Sequence, residues 1–170
     1  SDMKIGRKDC QDLERALSLE WLEQNGRGGF ASGTVSGAHT RRYHALLLTA
    51  RKPPSERFVL VNHLEEWLAI DGQVVPLSTN LYPGAVHPTG YEHCVEFSTD
   101  PWPIWTFACN GMKLQREILL IQGRDLVIVR WTLLGRKKQR AVLRVRPKLT
   151  ARDYHGTHHE NGSLSTEASI

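Results

Sequence analysis

IWTFACNGMKLQREILLI, residues 104–121, sets the fold class. Along an extended chain Trp105, Phe107 and Cys109 face one way, and Ile104, Thr106 and Ala108 face the other. Asn110-Gly111 is a dipeptide that accepts the positive φ angles of a tight type I′ turn, and a second apolar run returns from Leu114 to Ile121. The two arms read as an antiparallel hairpin. Both faces of the first arm are apolar or small, so cover is expected on both sides, which two packed sheets supply better than one.

The same signature recurs on either side. Runs rich in Val, Ile, Leu and aromatic residues occupy 43–50, 58–70, 74–77, 94–97, 126–134 and 141–149. Asp71-Gly72 is another hairpin dipeptide, and Gln122-Gly123 and Leu134-Gly135 end two more runs. Residues 58–70 also fit helical spacing, but the Phe-Val-Leu-Val start and the Asp-Gly that follows favour a strand. A helix signal stands near the N-terminus, where Leu13 and Leu17 lie four apart among charges in residues 9–18, with Asp9 as its cap. Residues 78–91 carry two prolines and two glycines and read as a surface loop. The expected fold is all-β, an antiparallel β-sandwich with one short N-terminal helix, in a single domain over residues 1–170.

Size and composition agree. A chain of 170 residues buries about 70% of its unfolded surface and needs no disulfide or metal to hold it. No apolar run reaches the roughly 18 residues of a membrane span, so a soluble protein is expected. The formal charge of +4 is modest. The one dense basic run, Arg136, Lys137, Lys138 and Arg140, has no aromatic residues among it and reads as a solvated hairpin tip, which leaves nucleic acid and membrane out as partners. Cys10, Cys94 and Cys109 are scattered without CxxC spacing, and no signal peptide stands at the N-terminus, so a reduced, cytoplasmic setting is expected. Ser1-Asp2 ahead of Met3 reads as a cloning scar, and the closing GSLSTEASI is not a natural-looking terminus, so a fragment is expected.

Residues 20–44, EWLEQNGRGGFASGTVSGAHTRRYH, hold five glycines and little hydrophobic periodicity, and read as a shaped polar surface. Within them Gly26-Arg27-Gly28-Gly29-Phe30-Ala31 matches a dinucleotide-binding fingerprint by letters. The residues that follow are poor helix formers, so there is no helix N-terminus to hold a pyrophosphate. His155, His158, His159 and Glu160 sit on a glycine-flanked stretch at spacings that define no coordination geometry, and no metal or other cofactor is expected. Glu65 and Glu66 are adjacent on a strand and face opposite ways, so they cannot flank one glycosidic bond; one reads as a surface carboxylate and the other as a partner for an arginine. No residue is assigned a catalytic role.

Two tetrapeptides remain, Arg41-Arg42-Tyr43-His44 and Arg152-Asp153-Tyr154-His155. Each joins a cation, an aromatic face and an imidazole, a set that suits a hydroxyl-rich sugar and equally suits structural hydrogen bonds at strand ends.

The segment EWLEQNGRGGFASGTVSGAHTRRYHALLLTA, with Pro53-Pro54, Arg57, Leu64-Glu65-Glu66, Asn80-Leu81-Tyr82-Pro83 and the late ARDYH, resembles the N-terminal domain of bacterial and archaeal glycogen debranching enzymes of the amylo-α-1,6-glucosidase type. The likeness runs over about residues 19–155. It implies a β-supersandwich that precedes a catalytic (α/α)6 barrel, with the general acid and base carboxylates in that barrel and none in this chain. The chain alone is then inactive, and the intact glycoside hydrolase cleaves α-1,6-linked glucose at glycogen branch points. The partners implied are its own C-terminal barrel and a branched α-glucan such as glycogen. A stand-alone carbohydrate-binding module and a structural or interaction β-sandwich are the alternatives.

Overall fold

The computed structural model describes residues 2–52, 55–135 and 140–153. Its strands are β1 (Lys4–Gly6), β2 (Glu20–Gln24), β3 (Phe30–Thr34), β4 (Ala45–Lys52), β5 (Ser55–Ile70), β6 (Gln73–Pro76), β7 (Thr79–Tyr82), β8 (Ala85–Thr89), β9 (Cys94–Ser98), β10 (Ile104–Cys109), β11 (Met112–Leu120), β12 (Val127–Leu134) and β13 (Ala141–Asp153). They form one antiparallel sheet in the order β1-β9-β10-β11-β12 and another in the order β13-β5-β4-β3-β2, with β6 on β5, and a separate β7-β8 hairpin. The two large sheets pack face to face, as expected.

The hairpin of residues 104–121 is present, with Ile104 opposite Glu117 and Cys109 opposite Met112. Asn110 and Gly111 both take positive φ, at 49° and 77°, as do Asp71 and Gly72 at the β5-β6 turn. Residues 58–70 are strand, within the long β5. Its length follows from its neighbours: β13 pairs along one edge from Phe58 to Ile70, while β4 and β6 share the other edge. Trp105, Phe107, Leu114, Leu68 and Ile70 are buried in the main apolar cluster between the sheets. The Trp105 indole N–H donates to the carbonyl of Val35 at 2.8 Å, so one sheet's core is tied to the chain leaving β3.

Four expectations need correction. The N-terminal helix is two short pieces, α1 (Arg7–Cys10) and α2 (Leu13–Ser18), and the cap is Asp12, whose carboxylate accepts the Arg15 N–H at 3.1 Å. Asp9 instead pairs with the Arg15 side chain at 3.4 Å. Residues 78–91 are not a plain loop: β7 and β8 pair across Pro83-Gly84, where Gly84 takes φ 73°, and Pro88 is accommodated because this small sheet leaves edges unpaired.

The glycine-rich segment runs into the interior at its middle, with Ala31, Ser32, Thr34, Val35 and Ser36 buried. Small residues are used there for close packing. A side chain at Gly29 would come within 2.5 Å of the Asn25 amide and 2.9 Å of the Leu48 carbonyl, and Gly33 lies under the Trp21 indole. Finally, β12 and β13 lie in different sheets, so they are not the two arms of one hairpin. Arg136, Lys137 and Lys138 lie outside the described residues.

Asn25 organises the turn between β2 and β3. Its side-chain oxygen accepts the N–H groups of Arg27 and Gly29 at 2.8 and 3.0 Å. Its amide donates to the Arg124 carbonyl and the Asp125 carboxylate at 3.2 and 3.0 Å, which fastens one sheet to the β11-β12 loop of the other. No helix follows the glycines, so the dinucleotide-loop reading is excluded by the structure as well.

Candidate functional site

Arg41, Arg42, Tyr43 and His44 lie on the turn that enters β4, closed by the His44 N–H donating to the Arg41 carbonyl at 3.1 Å. Three of the four converge on one carboxylate oxygen, Glu20 Oε1, at the start of β2. Arg41 Nε donates to it at 2.6 Å, His44 Nε2 at 2.7 Å and the Tyr43 hydroxyl at 3.4 Å. The Arg41 guanidinium also stands 5.9 Å from the centre of the Tyr43 ring.

The His44 ring is 1% exposed, and its protonation follows from its partners. Nδ1 accepts the N–H groups of Thr40 and Arg41 at 2.9 and 3.2 Å, so it carries no proton. Nε2 therefore carries the hydrogen that reaches Glu20. Burial pushes the His44 pKa down, against the upward pull of Glu20, in keeping with a neutral ring. Glu20 is held below the usual carboxylate range by the hydrogen bond from Arg41 and, less strongly, by that from His44. Arg42 is exposed beside them.

The second tetrapeptide is described only in part. Arg152 and Asp153 end β13, with their backbones opposite Val59 and Phe58 on β5. Tyr154 and His155, and with them His158, His159 and Glu160, lie outside the described residues. Among the described residues no group of His, Cys, Asp or Glu is arranged to hold a metal ion.

What sequence reasoning missed lies next to His44. The His39 ring sits 6.0 Å from His44 and 5.4 Å from His63, so a line of rings leads from the Glu20 cluster to the outer face of β5 and β13. There, under the β7-β8 hairpin, a cleft of about 420 Å³ is lined by His39, Asn62, His63, Glu65, Asn80, Tyr82 and Lys148 among others. Tyr82 is 56% exposed. The Glu65 carboxylate lies 3.7 Å from both Arg146 and Lys148, and Arg146 in turn stands 5.4 Å from the Trp67 ring. Trp67 lines a neighbouring recess that shares Glu65, Asn80 and Tyr82 with the cleft. Burial pushes the His63 pKa down. The cleft thus offers an aromatic face, amide donors and acceptors, and a fixed ammonium, which is chemistry for holding hydroxyl groups. The sequence signal available was the alternation of β5, which puts His63, Glu65 and Trp67 on one face.

The paired carboxylates part as expected. Glu65 faces the cleft, and Glu66 faces the core, where it accepts from Arg116 and from the Trp131 indole while its own N–H donates to Ser78 Oγ at 2.6 Å.

The three cysteines are free and buried. Cys10 and Cys94 share a thiol hydrogen bond that lowers the pKa of Cys10 and raises that of Cys94. No helix among the described residues is long and apolar enough to cross a membrane.

Residues 19–169 match the model of a family described as glycogen debranching enzyme N terminal. No curated protein and no solved structure matches the chain.

Proposed function

The chain belongs to the glycogen debranching enzyme N-terminal family, and from that premise we propose that it is a non-catalytic domain that contacts the branched α-glucan and docks on the catalytic barrel of a cytoplasmic α-1,6-glucosidase. In the intact hydrolase the barrel supplies the acid that protonates the leaving oxygen and the carboxylate that activates water or attacks. This domain supplies binding surface at the barrel's entrance. The observation that carries the reading is the run of polar and aromatic groups from Arg41, Tyr43 and His44 on Glu20, through His39 and His63, to the exposed Tyr82. A glucose ring stacks its apolar face on a phenol ring while Asn62, Asn80 and Lys148 take its hydroxyls.

Docking is supported by β12. Leu126, Ile128, Leu133 and Leu134 are exposed on and beside a strand whose second edge has no partner strand among the described residues.

Titration of the chain with glycogen and with branched maltooligosaccharides tests the glucan contact. Binding weakened at least tenfold by Tyr82→Ala, with an unchanged melting temperature, is the expected result. Absence of millimolar binding by the unaltered chain would remove the cleft as a glucan site and leave the docking role alone.

A further inference from the structure

Among the described residues, Trp21 Nε1, His63 Nε2 and Arg116 Nε are buried without a hydrogen-bond partner in the protein. They come from β2, β5 and β11, two from one sheet and one from the other, yet all three residues line the same cavity of about 50 Å³ between the sheets. Gly33 lines it too, and its missing side chain leaves room beside Trp21 Nε1, which an added Cβ would approach to 3.3 Å. Buried polar groups are nearly always satisfied, so three orphans on residues that line one space point to an occupant.

The chemistry of the walls selects that occupant. Trp21 and Arg116 present donors only. The Glu66 carboxylate, which also lines the cavity, has lone pairs to spare after accepting from Arg116 and Trp131. The Glu66 and Arg116 charges cancel, and His63, whose pKa burial pushes down, adds none. A neutral species that both accepts and donates fits this wall, and an anion would sit against Glu66. By the ~10–15 Å³ of probe-occupied space that one water needs, the cavity has room for about three to five.

We propose that this cavity is a built hydration site, in which three or more ordered water molecules accept from Trp21 and Arg116, hydrogen-bond to His63 Nε2 and donate to Glu66. The outer cleft shares Gly37, His39 and His63 with it, so these waters form the inner lining behind the cleft's histidines. The site does not depend on what the cleft binds.

A high-resolution crystal structure of the chain, with a bromide soak alongside, decides the matter. Water density within hydrogen-bond distance of all three nitrogens is expected. A cavity without density would overturn the proposal, and an anomalous bromide peak against Arg116 would overturn it in favour of an anion. In solution, oxygen-17 relaxation dispersion should count two or three fewer long-lived waters in His63→Phe, which removes one ligand and fills the space with an apolar ring. An unchanged count in a folded variant would contradict the assignment.

Discussion

His44 Nε2 donates to Glu20 Oε1 at 2.7 Å while His44 Nδ1 receives two backbone N–H groups, which leaves no place for a second proton on the buried ring.

Stability should therefore fall as the solution is acidified from neutrality. His44 and His63 have pKa values below their ordinary 6.5 in the folded chain, so the unfolded chain takes up protons first. Their contribution is complete above about pH 6.5 and is lost as the pH falls through the lowered folded values. Glu20, also lowered, adds a loss that begins near its unfolded 4.5 and runs down through its folded value. Urea denaturation at pH 7.5 and 5.5 should show the first loss, and His44→Gln should reduce it. Equal stability at the two pH values would rule out a neutral His44.

Asn25→Ala should destabilise the chain by about 2–4 kcal/mol, since four hydrogen bonds of a fully buried side chain disappear together and leave the buried Gly29 N–H unsatisfied. Chemical denaturation measures it. A change under 1 kcal/mol would mean that the turn and the β11-β12 loop hold together without this clamp.

Removing either partner of the Glu66–Arg116 pair should cost about 3–5 kcal/mol, because each leaves a charge between the sheets without its counter-ion. The double replacement Glu66→Leu with Arg116→Met should cost less than the sum of the two. Additive losses in a double-mutant cycle would show that the pair is not coupled.

Gly90→Ala should be among the most damaging single changes, at more than about 3 kcal/mol. A Cβ at this position would lie 2.1 Å from the Leu77 carbonyl carbon and oxygen, which are backbone atoms and cannot swing aside. Loss of soluble expression or a large drop in melting temperature is expected, while Gly72→Ala, at a turn with open space around it, should lose only the cost of its φ of 83°.

The strands that were legible in the sequence are those whose burial is carried by large apolar side chains and whose turns demand positive φ, as at Asn110-Gly111 and Asp71-Gly72. β2 and β3 were not, because Ser32, Gly33 and Thr34 are buried by being small, and small polar residues give the same signal on a surface. The candidate site was half legible. The cluster of Arg41, Tyr43 and His44 could be named, but Glu20 could not be paired with His44 until the β2-β3 register was known, since 24 positions separate them. His39 lies between β3 and β4, His63 on β5 and Tyr82 on β7, and all three line the one cleft only once the chain has folded.

The placement of β12 and β13 in different sheets bears on how the chain acquires its shape. One sheet is closed by β1 at residues 4–6 pairing with β9 at 94–98, and the other by β13, the last of these strands, pairing along β5 from Phe58 to Ile70. Neither sheet can form from a contiguous half of the chain. During synthesis β5 must wait with an open edge until residue 153 has left the ribosome, and folding is set by distant pairings of the kind that take milliseconds to seconds. The two sheets are thus made together and should melt together, in one cooperative transition.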